Sequence, residues 1–151
     1  MKTFNHFFKV SSYLALMGWV ILIGFPSWQL GRELVIGFIA ILLCFIYSYL
    51  VFFGKRHDDP AQKIRGSFWS LKGVMGLFQS PRAVLAGWIH YLAFDLMIGL
   101  YILNDAAVHN IIHWMLIPCL ILTLLFGPAG LLAYFILRYA LTQELSLLNV
   151  F

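Results

Sequence analysis

Asp95 carries the most pointed chemistry in this chain. It stands near the middle of the stretch Ala83 to Leu103, which is apolar apart from His90 and Asp95. Inside a bilayer a carboxyl group at a helix centre costs about 2.5–3.5 kcal/mol on insertion scales, so it needs a partner or a purpose. At 3.6 residues per turn Trp88, Tyr91, Asp95 and Gly99 share one helix face, while His90 lies about 140° away from Asp95. A simple His90–Asp95 dyad is therefore disfavoured.

The later stretch Trp114 to Leu137 supplies the facing surface. Thr123, Gly127, Gly130, Tyr134 and Arg138 fall in one narrow sector of a helix. Thr123 lies at nearly the depth of Asp95, about 13 Å in against about 12 Å, which makes it the expected hydrogen-bond partner. Tyr134 falls at the depth of His90, Tyr47 and Ser12, and together these would line a polar pocket facing inward. Gly127 and Pro128 break the helix at its centre, because proline has no N–H and leaves the Leu124 carbonyl without its intrahelical donor. Freed backbone in a membrane must face protein or a cavity. The break is either a packing kink against small residues or a kink that widens a cavity for a rigid lipophilic ligand. Trp88, Thr123, Gly127, Pro128 and Tyr134 are the candidate binding residues. His90 and Asp95 also admit a purely structural reading, each making one interhelical hydrogen bond.

Asp105, His109 and His113 are expected in a short outer loop. The histidines have the i, i+4 spacing of a metal-site edge, but no glutamate follows the first and Asp105 is the one further ligand nearby. No metal is expected there. Haem is equally unsupported, since His90 is the one histidine well inside an apolar stretch.

These residues must be positioned by membrane helices. Of 151 residues, 62% are hydrophobic and 11% charged, against about 45–50% and 25% in soluble domains. The net charge of +4 is carried by sparse, bunched residues, which excludes a broad nucleic-acid surface. Cys44 and Cys119 lie in apolar runs and behave as small hydrophobes. Four stretches meet or approach the roughly 20 apolar residues that a spanning helix needs: about 7–25, 34–53, 83–103 and 114–137. The expected fold is an all-α, single-domain polytopic membrane protein over residues 1–151, a four-transmembrane-helix bundle. Ser80 and Pro81 read as the N-cap and first turn of the third helix. The first stretch could also be a signal peptide, but its exit, Gly24-Phe25-Pro26-Ser27-Trp28, reads as a helix end with an interfacial aromatic.

With four spans, nine of the ten basic residues share the side of the termini and only Arg32 faces the other. The positive-inside rule then makes both termini cytoplasmic. Between the second and third spans, Ile64, Phe68, Leu71, Met75 and Phe78 recur at helical spacing, predicting a short amphipathic helix. It either lies in the interface, with Lys63, Arg65 and Lys72 at anionic head groups, or covers the bundle mouth. Gly66, Gly73 and Gly76 weaken it by about 1 kcal/mol each relative to alanine.

The run Pro81 to Gly99, continuing to Asn104-Asp105-Ala106, resembles the third-helix signature of the abscisic-acid-deficient-four-like family. A second similarity lies in Pro118-Cys119-Leu120, Leu122-Thr123-Leu124 and Phe126-Gly127-Pro128-Ala129-Gly130-Leu131-Leu132, followed by Tyr134 and Arg138. Leu100 stands where members of that family often carry a basic residue, and the first two helices resemble it in hydropathy alone. The plant members are chloroplast membrane proteins needed for neoxanthin synthesis. The resemblance implies a membrane isomerase that opens the epoxide of violaxanthin while a proton leaves the polyene, with no redox cofactor and with Asp95, His90 and Tyr91 as its candidate acid and base groups in an undecided order. The short Met1 to His6 leader points to a prokaryotic plasma membrane, and hence to another carotenoid or isoprenoid, handled by double-bond isomerisation. The alternative is a non-catalytic membrane subunit that binds a carotenoid or quinone or scaffolds a partner enzyme. Expected partners are membrane lipid, the isoprenoid ligand, and a second copy or a biosynthetic enzyme.

Overall fold

The computed structural model describes residues 2–58 and 66–143, and among these it is all-helical without strands. Among the described residues three helices are long and apolar enough to cross a membrane: α1 (Lys2–Gly24), α2 (Gln29–Phe52) and α4 (Pro81–Val108). Between α2 and α4 lies the short α3 (Leu71–Leu77), and after α4 come α5 (His113–Phe126) and α6 (Pro128–Thr142).

Helix α4 is the core element. Half of its most apolar window is buried, against 28% for α1 and α2, because α1, α2 and α5 all pack on it. Small residues allow the close approach. A Cβ on Gly99 would lie 2.9 Å from the Trp19 ring, and one on Gly18 would lie 2.9 Å from Leu96. The start of α4 follows its sequence signal: the Ser80 hydroxyl accepts a hydrogen bond from the Ala83 N–H, with Pro81 in the first turn. Arg82 then ties this end to α2. Its guanidinium donates to the Leu50 carbonyl at 3.1 Å and pairs with Asp58 at 2.9 Å, satisfying a carbonyl that the end of α2 leaves open.

The second helix begins earlier than its hydropathy implies, at Gln29, where Gln29 donates to Glu33 one turn on. It carries a π-helical turn over Val35–Ala40. The amphipathic segment is shorter than its periodicity predicts. Ser70 caps α3 by accepting from the Gly73 N–H, so Phe68 precedes the helix and Phe78 follows it, while Lys63, Ile64 and Arg65 lie outside the described residues.

The largest departure concerns the fourth apolar stretch, which is not one helix from 114 to 137. It breaks at Gly127, whose backbone (φ 32°, ψ −89°) is one that side-chain-bearing residues rarely adopt. The chain then folds back. Gly130 lies so close to Thr123 that a Cβ would collide with the Thr123 backbone, and Pro128 opens α6 where no N–H is required. The direction of α6 is set by its contacts with α4. Asp95 touches the Gly127 corner, while Asp105 meets Tyr134 and Arg138. From Asp95 to Asp105 and from Pro128 to Arg138 is about 15 Å in each case at 1.5 Å per residue. Helix α6 therefore runs beside α4 in the same direction, and the Tyr101 and Phe135 rings meet at 6.2 Å.

At 14 and 15 residues, α5 and α6 are about 21 and 22 Å long, short of the roughly 30 Å hydrocarbon core. They form a hairpin that enters and leaves by the end of the bundle where α4 finishes. A straight fourth span would put Gln143 on the same side of the membrane as Lys55; the hairpin puts them on opposite sides. In a Cys44→Ala, Cys119→Ala background, cysteines placed at Lys55 and Gln143 are expected to react with a membrane-impermeant reagent from opposite faces. Labelling from one face would reject the hairpin.

Candidate functional site

The Gly127 corner and the middle of α4 meet at Asp95. Its side chain belongs to a residue only 4% exposed, and Oδ2 has no hydrogen-bond partner. Two features make the position tolerable. The carboxyl lies against Gly127 at the head of α6, where a helix N-terminus favours negative charge. One turn earlier on the same face, the Tyr91 phenol lies beside it.

Tyr91 is placed by the backbone defect. Pro128 supplies no N–H to the Leu124 carbonyl, and the Tyr91 hydroxyl donates to that carbonyl at 3.2 Å. An unpaired buried carbonyl would cost about 1–3 kcal/mol, so the break and the phenol depend on one another. Trp88 stacks on Tyr91 at 5.5 Å between ring centroids, and its indole N–H donates to Ser12 of α1 at 3.2 Å. These rings wall a lateral groove of about 750 Å³ between α4 and the α5–α6 corner, lined also by Phe78, Gly87, Phe126 and Pro128. That is within the range of about 300–1,000 Å³ typical of small-molecule sites. Tyr91 presents a hydroxyl on this apolar wall, and Asp95 stands behind it, off the groove lining.

Of the residues singled out by spacing, Asp95, Tyr91, Trp88, Gly127 and Pro128 come together. Thr123 is near them but does not serve Asp95. Its hydroxyl donates to the Cys119 carbonyl at 2.8 Å, the i−4 bond open to any helical threonine, and it packs under Gly130. His90 is exposed on another face of α4, between the rings of Tyr47 at 5.6 Å and Phe94 at 4.4 Å. Tyr134 is not at the depth of His90, because the reversal at Gly127 carries it to the opposite end of the bundle.

There it belongs to a cluster that spacing alone did not reveal. Asp105 is in α4, not in a loop, and is fully buried. Arg138 NH1 reaches its two carboxylate oxygens at 3.0 and 3.1 Å, and the Tyr134 hydroxyl donates to it as well. The i, i+4 pair Tyr134 and Arg138 downstream of a Gly-Pro break was the available signal. His109 Nδ1 donates to the Asp105 backbone carbonyl at 2.8 Å, and His113 Nε2 to that of Ile23 at 2.9 Å. The backbone between them turns through Asn110 at φ 53°, so the two histidines do not share a helix face. Among the described residues no three potential ligands converge on a metal position.

Removing one partner of a buried ion pair costs about 3–5 kcal/mol, whereas replacing both by apolar groups is often neutral. Arg138→Met is therefore expected to lower unfolding stability in detergent by about that amount, and Asp105→Leu with Arg138→Met to restore most of it. Equal losses in the single and double variants would show that the pair does not hold the hairpin.

No curated protein and no solved structure matches the chain. A family model described as ABA DEFICIENT 4-like matches residues 6–134. The match runs from α1 to Tyr134, so it includes the first two helices, the groove, Tyr91, Asp95 and the Gly127 corner. With most of its length matched by that model, the chain belongs to the ABA DEFICIENT 4-like family.

Proposed function

We propose that this protein is a membrane-embedded isomerase of a carotenoid or related isoprenoid. The observation that carries the reading is the pairing of an apolar groove with one hydroxyl, Tyr91, backed by the buried carboxyl of Asp95. A flat, apolar chain lies along the Trp88 and Tyr91 rings with its reacting atoms at the phenol. In an epoxide opening, a proton passes to the epoxide oxygen, the carbon–oxygen bond breaks, and a proton leaves the neighbouring polyene carbon. In a double-bond isomerisation a proton is added and another removed. Either way the product is an isomer and no electrons are exchanged. Tyr91 touches the ligand, and Asp95 acts through Tyr91 by supplying or accepting the proton from behind. His90 is on a different face and has no part in this reading.

The same reading sets the orientation. Lys2, Lys9, Lys55, Arg56, Lys72 and Arg82 lie toward the end where α4 begins, and Arg138 at the other end is buried against Asp105. Arg32 alone is left as an accessible cation at that far end among the described residues. The positive-inside rule then makes the N-terminus and the Gly54 to Arg82 connection cytoplasmic, in a plasma membrane, with the end of α6 outside.

One observation favours a binding subunit without catalysis: Asp95 does not line the groove. Pigments from carotenoid-producing cells expressing the wild type, Tyr91→Phe, Asp95→Asn and His90→Gln separate the two. For an isomerase, wild type and His90→Gln yield an isomeric product, while Tyr91→Phe and Asp95→Asn, still folded by thermal unfolding, lose about 100-fold or more. Full conversion by folded Asp95→Asn would remove Asp95 from the chemistry. Pigment co-purifying without conversion would make the protein a carrier or scaffold.

A further inference from the structure

The segment between α2 and α4 displays its largest apolar side chains outward. Phe68, Trp69, Leu71 and Met75 are 86, 97, 78 and 63% exposed, although the backbone that carries them is closed on itself. The Ser67 N–H donates to the Gly73 carbonyl at 3.2 Å, the Ser67 hydroxyl accepts from the Trp69 N–H at 3.2 Å, and Ser70 caps α3. Gly66 packs directly on Leu77. The inner side of this unit is thus filled by its own backbone and Leu77, and the aromatic edge is left facing away from the protein.

We infer that residues 67–78 dock on the surface of the same membrane, in its anionic cytoplasmic leaflet. Three features select lipid as the occupant. The segment leads directly into α4, whose Arg82 is held on Asp58 and on the Leu50 carbonyl of α2, and both helices are long enough to cross the bilayer, so the unit stays at the level of the helix ends. Trp settles at the boundary between head groups and acyl chains, and Phe and Leu beside it make the apolar face of interfacial segments. Lys72 is exposed between Leu71 and Gly73, and Lys55 and Arg56 are exposed at the end of α2, which gives the apolar edge a basic border suited to anionic head groups. At its far end the segment reaches the lateral groove, where Phe78 lies 3.0 Å from the position a Gly87 Cβ would occupy. The docked unit is therefore also the groove's wall nearest the membrane surface. This assignment does not depend on what the groove binds.

The test uses the full chain with Cys44→Ala, Cys119→Ala and Trp69→Cys, labelled at the new thiol with an environment-sensitive fluorophore. It is placed in nanodiscs of phosphatidylcholine alone or mixed with phosphatidylglycerol. Docking predicts that lipid carrying a nitroxide near the head group quenches the label several-fold more than aqueous acrylamide, a neutral quencher, does in the mixed discs. Adding Lys72→Glu should roughly double the acrylamide quenching in the mixed discs and leave it unchanged in phosphatidylcholine. Because Trp69 and Lys72 are exposed, neither change threatens the fold. Acrylamide quenching that dominates in both lipids would overturn the docking and leave the edge free for a soluble partner. Insensitivity to Lys72→Glu in the mixed discs would overturn the assignment to anionic lipid.

Discussion

A buried carboxylate and a buried guanidinium, Asp105 and Arg138, determine how the last third of this protein is arranged. Neither charge can remain alone in an apolar interior, since the desolvation cost of an unpaired ion there is several kcal/mol. Asp105 is 0% and Arg138 2% exposed, and one guanidinium nitrogen contacts both carboxylate oxygens while the Tyr134 hydroxyl donates to the same carboxylate. Meeting that requirement brings α6 alongside the last turns of α4. A helix that carried on straight after Phe126 would place Arg138 at the far end of the bundle from Asp105.

The reversal has a cost in backbone hydrogen bonding, and the site is built from its repair. Ending α5 at Phe126 and starting α6 on a proline leaves the Leu124 carbonyl without a helical donor. Tyr91 supplies one, which fixes the phenol at the edge of the groove. The same corner brings Gly127 against Asp95 so closely that a methyl group at that position would overlap the carboxyl. A strained glycine, a proline, a tyrosine and an aspartate are therefore one interdependent arrangement. Irregular backbone at membrane depth is tolerated where it lies against protein or a cavity, and here it does both.

The opposite end of the bundle solves a different problem. The start of α4 is held level with the end of α2 by Arg82, which satisfies the Leu50 carbonyl and the Asp58 carboxylate together. Beyond that tie the chain folds into a small capped unit with little apolar surface turned inward. Its exposed aromatic edge and the groove wall at Phe78 belong to the same short segment.

Much of this was written in local sequence. Predominantly apolar runs of sufficient length mark α1, α2 and α4, because burying a helix in hydrocarbon depends on composition along one segment. Ser80 and Pro81 announce the start of α4 because capping is a contact across three residues. The insertion cost of Asp95 identifies it as special wherever its neighbours lie, and periodicity correctly groups it with Tyr91 and Trp88. The missing N–H of Pro128 names the Leu124 carbonyl as the group in need of a donor. What composition and periodicity could not carry is direction. A period of 3.6 says which residues share a face, but a single residue, Gly127, decides whether the next helix continues or returns, and both outcomes have the same hydropathy. Only the tertiary contacts of Asp105 and Gly130 select the return. They move Tyr134 away from His90, leave Thr123 bonded within its own helix, and turn Arg138 from a terminal surface charge into the buried partner of Asp105, because a charge in an apolar interior is stable only where the fold brings its counter-ion.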